Sequence, residues 1–124
     1  MARTVLYTNA NSISEMRVPL AFQVSAARDF CSRSNVSLPT AQDEIYKSDF
    51  PYVLFSLLSD SSVSTIFVPA LWFIEPLLKT NFQPVFSSEK AFLFYLQEGR
   101  IKHVNSVISE LRSANRIANY ISYY

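Results

Sequence analysis

The chain has one glycine, Gly99, so no glycine-rich loop can cradle a phosphate, and Asn, Asp, Ser and Pro must supply most of its turns. It has one cysteine, Cys31, which excludes an intramolecular disulfide and any multi-cysteine zinc site. Cys31 follows Phe30 in a stretch of helical periodicity, so a packed thiol is expected rather than a nucleophile, as suits a cytoplasmic protein. The one histidine, His103, has no acid and nucleophile near it in sequence. It reads as a surface or helix-start residue, and no general base is assigned to it. Long apolar runs are lacking too: the longest, Ile66 to Ile74, falls short of the ~20 residues that cross a bilayer. The run at Met1 to Tyr7 is too short for a signal peptide, so no membrane insertion is expected. Charge surplus is also missing. Eleven basic and ten acidic residues leave +1, which does not point to general nucleic-acid binding.

Apolar and aromatic residues are plentiful. They make up 49% and 15% of 124 residues, with ten Phe and seven Tyr, enough to offset the entropy of ordering one globular domain over residues 1–124. There are no internal repeats, low-complexity tracts or linkers.

Thr4 to Thr8 is short, β-branched and aromatic, and the polar run Asn9 to Ser14 ends it, which predicts a buried first strand. Leu20, Val24, Ala27 and Cys31 recur at helical spacing within a helix expected from Glu15 to Arg33, with Pro19 in its entry segment or first turn. Val36-Ser37-Leu38 reads as a short strand, and Pro39 with Thr40 to Asp49 as a polar connection. Ser48 or Asp49 is placed to cap a helix with Pro51 at its first position and Val53, Leu54, Leu57 and Leu58 on its buried stripe. Ser64 to Val68 is the clearest central strand. A short helix over Glu75 to Asn81, a strand at Gln83 to Phe86, and a helix from Ser88 to Gln97 ended by Gly99 follow. Lys102 to Tyr124 reads as a long helix with Val104, Val107, Ile108, Leu111, Ala114, Ala118 and Ile121 on one seam. This alternation predicts a three-layer α/β fold, an open and mostly parallel sheet with helices on both faces, flavodoxin-like or related.

Several segments in order resemble one family. Leu6-Tyr7-Thr8-Asn9-Ala10-Asn11, Leu20-Ala21-Phe22-Gln23, Ala26 to Cys31, Pro51 to Leu58, Thr65 to Leu71, Gln83 to Glu89 and the last helix are similar to the catalytic domain of the serine recombinases, the resolvase and invertase family. The likeness runs from Val5 to Tyr124. It implies a resolvase-like fold in which residues 102–124 form the dimerisation helix. The chemistry departs from the family pattern. Asn11 stands at the position of the nucleophilic serine and Asn9 at that of the first-strand arginine. Trp72-Phe73-Ile74-Glu75-Pro76 replaces the motif whose arginines clamp a phosphate, and Phe50 stands where a further arginine precedes the proline. Ser12 or Ser14 can be shifted into register as a nucleophile, but the missing guanidinium groups cannot be replaced in that way. The resemblance therefore implies an inactive relative that keeps the scaffold without strand cleavage. The chain closes at Tyr124, which leaves no room for a helix-turn-helix or zinc ribbon, so sequence-specific DNA reading is not expected.

The expected site residues follow from this frame. Val104, Val107, Ile108, Leu111, Ala118 and Ile121 form the partner interface of a homodimer or of a complex with another recombinase-like protein. Trp72 and Phe73 form a possible binding edge at the carboxyl end of the central strand. Arg112 and Arg116, four apart on one helical face, are possible phosphate contacts, with DNA bound weakly or indirectly. Asp29, Asp43 and Glu44 read as solvated loop charges, and no metal, cofactor or catalytic residue is assigned. The expected function is protein association in a DNA-associated assembly. Two alternatives stand beside it: a small flavodoxin-like enzyme or ligand-binding protein using Ser12 or Ser14 and the Trp72 edge, and an unrelated viral or mobile-element accessory protein.

Overall fold

The computed structural model describes residues 3–11, 17–45, 50–79 and 90–122; of residues 78–79 and 114–122 it describes the backbone course only. In chain order the elements are β1 (Arg3–Asn9), α1 (Leu20–Arg33), β2 (Thr40–Glu44), α2 (Tyr52–Ser59), β3 (Val63–Val68), a 3-10 helix (Leu71–Lys79), β4 (Ala91–Phe94), a 3-10 turn (Tyr95–Gln97), β5 (Arg100–His103) and α3 (Val104–Ser122). The five strands form one sheet in the order β2-β1-β3-β4-β5. The first four are parallel to their neighbours, and β5 runs antiparallel to β4. The protein is thus α/β with a mostly parallel sheet.

Successive side chains of the central strands enter two different cores, as the pleat requires. Val5, Tyr7, Ile66, Val68, Phe92 and Phe94 share one cluster with Leu54, Leu57 and Leu58 of α2, Ile74 and Leu77 of the 3-10 helix, and Val104, Val107 and Ile108 of α3. Leu6 and Phe67 join the other, with Ala27 and Cys31 of α1 and Tyr95. Cys31 is a packed thiol, and burial pushes its pKa up. His103 is exposed at the end of β5, immediately before α3.

The fold departs from the sequence reading in specific places. Val36 to Leu38 is irregular, and the second strand is Thr40–Glu44, inside the stretch read as a polar connection. β2 lies at the sheet edge with its first four residues exposed, so it needs no apolar pattern, and the periodic signal vanishes. The helix expected over Ser88 to Gln97 is replaced by β4 and a 3-10 turn. Phe92 and Phe94 pack into one core while Leu93 packs against the other, an alternation that a helix cannot produce. Glu98 (φ 61°) and Gly99 (φ 72°) then reverse the chain into β5, so Gly99 serves a hairpin rather than a helix stop. Because Arg100–His103 pairs with β4, the last helix starts at Val104. The helix placed over Glu75 to Asn81 is a 3-10 helix that begins earlier, at Leu71. α1 begins at Leu20 after Pro19, and α2 begins at Tyr52 after Pro51. The strand expected at Gln83 to Phe86 and the caps expected from Ser48 or Asp49 lie outside the described residues. No helix among the described residues is long and apolar enough to cross a membrane.

Candidate functional site

From β1 the chain crosses to one side to form β2, then to the other to form β3. The connections leaving β1 and β3 therefore diverge, and in open α/β sheets the carboxyl edge at such a switch point is where ligands bind. Here that edge is filled by a cluster of polar side chains. Tyr7, Thr8, Asn9, Gln23 and Glu44 are all buried.

Gln23, on the first turn of α1, ties the helix to the strand. Its Nε2 donates to the carbonyls of Asn9 and Val18, both at 2.8 Å, and its Oε1 accepts from the Asn9 N–H at 3.0 Å. Asn9 Nδ2 donates to the Tyr7 hydroxyl at 3.3 Å, and Asn9 Oδ1 accepts from the Asn11 N–H at 2.9 Å. The Tyr7 hydroxyl in turn donates to Glu44 Oε1 at 3.1 Å. That carboxylate also accepts from the N–H groups of Val53 (2.9 Å) and Leu54 (3.3 Å). Those donors belong to the first turn of α2, where Pro51 gives no side-chain cap, so Glu44 caps the helix from a neighbouring strand and matches its positive end. Tyr95 completes the cluster by donating from its hydroxyl to the Gln23 carbonyl at 3.2 Å. Beside it, the Thr8 hydroxyl donates to Asp43.

The two phenols of the cluster hold their protons tightly. Burial, then the negative charge of Glu44 and the hydrogen bond to it, push the Tyr7 phenol far above its ordinary value. Burial alone does the same to Tyr95. Among the described residues, every buried side-chain nitrogen and oxygen has a partner. No group of three His, Cys, Asp or Glu is placed to hold a metal ion, again among the described residues. The chemistry available is hydrogen bonding from amides, a phenol and a helix-bound carboxylate.

Four residues that carry the family resemblance, Tyr7, Asn9, Asn11 and Gln23, meet in this cluster. The other expected site residues have different fates. Val104, Val107 and Ile108, expected at a partner interface, are buried in the chain's own core, where the first turns of α3 lay that part of the seam against the sheet. Leu111 lies half-buried at the margin of the same core. Ala118, Ile121 and Arg116 fall where only the backbone is described, and Ser12 and Ser14 lie outside the described residues. Arg112 is half-buried and already engaged. Phe73 is a core residue, whereas its ring neighbour Trp72, 5.4 Å away between centroids, stays half-buried, so the proposed edge reduces to Trp72. Asp29 is the exposed charge expected of it, paired with Arg33 at 3.0 Å. Glu44 is the reverse, buried and helix-bound.

Lys90 had no signal in the sequence. It is buried at the amino edge, where its Nζ donates to the carbonyls of Asp60 (2.5 Å) and Val63 (2.7 Å), and burial lowers its pKa. Nearby, Asp60 accepts from the Ser62 hydroxyl and N–H and from Arg3. These contacts hold its pKa at about 2. The chain matches no protein-family model, no curated protein and no solved structure.

Proposed function

We propose that the chain is a non-catalytic relative of the serine recombinases that works by protein association in the cytoplasm. It acts as a homodimer or beside another recombinase-like protein, with DNA contacted weakly or indirectly. In this reading the scaffold has three layers and a long terminal helix, of the resolvase-like or flavodoxin-like kind. One observation carries it: the polar residues at the switch point are used up in holding the fold. Asn9 and Gln23 bond to backbone and to each other, Tyr7 keeps its proton, and Glu44 is bound to α2. Strand cleavage by phosphoryl transfer requires a nucleophile and preorganised positive charge, and this cluster contributes neither.

The test joins two measurements on the full chain. Light scattering from low to high micromolar concentration should give a mass of two copies. Incubation with supercoiled DNA followed by denaturation should give no covalent protein–DNA adduct. A monomer at every concentration would overturn the self-association reading, and an adduct would overturn the non-catalytic one.

A further inference from the structure

An open sheet has two edges, and the two edges here are built differently. β5 carries Arg100, Lys102 and His103 within four residues. Two such strands pairing about an axis at Lys102 would set Lys102 against itself, a like-charge contact that guards the edge in that register. β2 has no such guard. Of its two acids, Glu44 is turned inward beneath α2, and Asp43 is turned back to the Thr8 hydroxyl of β1. Thr40, Ala41 and Gln42 are neutral and exposed.

The backbone decides which groups this edge offers. The Glu44 carbonyl accepts from the Ala10 N–H at 2.9 Å, so Glu44 faces β1. Alternation along the strand turns Gln42 and Thr40 the same way, and the N–H and C=O of Ala41 and Asp43 point out of the sheet. Among the described residues no strand pairs with them.

We propose that β2 pairs antiparallel with β2 of a second copy, about a two-fold axis at Gln42, joining two sheets into one. This rests on the association reading above and names its surface. In this register Ala41 of each copy exchanges both backbone hydrogen bonds with Asp43 of the other. The neighbouring registers fail for stated reasons. Centring on Asp43 opposes two carboxylates, and centring on Ala41 sets Asp43 against Pro39, which has no N–H to give. At Gln42 the two neutral amides meet and can bond to each other. Ile45, 60% exposed, comes opposite Pro39 and beside Leu38, 37% exposed, of the second copy, so apolar contacts close both ends of the pairing.

Cross-linking tests the register. Gln42→Cys, in a Cys31→Ala background, places two thiols on the axis in a non-hydrogen-bonded pair, with Cα atoms about 4.5 Å apart and within disulfide range. Thr40→Cys places its two thiols more than ~10 Å apart. Under mild oxidation the first variant should form a covalent dimer at least tenfold faster than the second. Ala41→Pro, which removes an outward N–H and no bond to β1, should weaken self-association roughly tenfold or more while circular dichroism stays unchanged. A wild-type dimer with no preference for Gln42→Cys over Thr40→Cys would overturn this surface and leave the association reading standing. A wild-type chain that stays monomeric would overturn both.

Discussion

Replacing Glu44 by Gln changes one oxygen for an NH2 group at the point where β1, β2 and α2 are joined. The carboxylate takes donors from Tyr7, Val53 and Leu54. All three donors reach Oε1, so the amide can keep its oxygen there, but it loses the negative charge and its NH2 takes the place of Oε2, facing the Val53 N–H 3.2 Å away, itself a donor. Hydrogen bonds to a charged acceptor contribute about 1.5–3 kcal/mol each, neutral ones about 1 kcal/mol, and an uncapped helix start costs about 0.5–2 kcal/mol. Since the remaining oxygen recovers part of this, Glu44→Gln should cost about 2–3 kcal/mol, a fall of roughly 6–12 °C in Tm for a domain of this size. Urea unfolding followed by circular dichroism at neutral pH reads the free energy directly, provided the transition is two-state. Tyr7→Phe should cost about 1 kcal/mol, because Glu44 keeps its helix donors. The double variant should lose less than the two costs summed, because the pair shares a bond. A Glu44→Gln protein within about 0.5 kcal/mol of wild type, or strict additivity with Tyr7→Phe, would refute the claim that this carboxylate organises the edge.

Tyr7 and Tyr95 hold their protons more tightly folded than unfolded, so their stabilising contribution is complete below about pH 10 and is lost as pH rises beyond it. Urea midpoints taken from about pH 8 to 11 should fall less steeply in Tyr7→Phe, and an unchanged slope would contradict the burial argument. Asp60 is the opposite case: its folded pKa, about 2, lies below its ordinary 3.8, so its contribution is present above about pH 4 and disappears as pH falls toward 2. Asp60→Asn should flatten the acid limb over that interval, which a pH series of thermal melts would register. At Gly99, an added Cβ would lie 2.6 Å from the Phe30 ring on a backbone with φ 72°, so Gly99→Ala should destabilise by about 1–3 kcal/mol. Phe30→Leu in the same chain should recover part of that loss, and an unchanged melting temperature in the single variant would rule out the close approach.

Where a segment's own side chains determine its burial, the sequence could be read directly. Val63–Val68 and the last five residues of β1, Val5 to Asn9, are covered on both faces, so a run of apolar and β-branched residues marks them as central strands wherever they lie. Leu54, Leu57 and Leu58 mark the inner stripe of α2 in the same way, and Cys31 the inner face of α1. The alternation of these elements was enough to specify an α/β fold with a mostly parallel sheet.

What depended on distant partners was hidden. Thr40–Glu44 is a strand because β1 supplies its hydrogen bonds, a fact that a polar edge sequence does not carry. Ala91–Phe94 is a strand because two cores lie on either side of it, although the same residues suit a helix taken alone. Tyr7 and Glu44 are 37 residues apart and become partners only through the β1–β2 register. The hydrophobic seam of α3 was plain in the sequence, but whether it meets another chain or its own sheet is a question of what stands opposite. Local composition determined which faces of this protein must be covered, and tertiary pairing alone decided what covers them, because hydrophobicity is a property of a residue and a contact is a property of two.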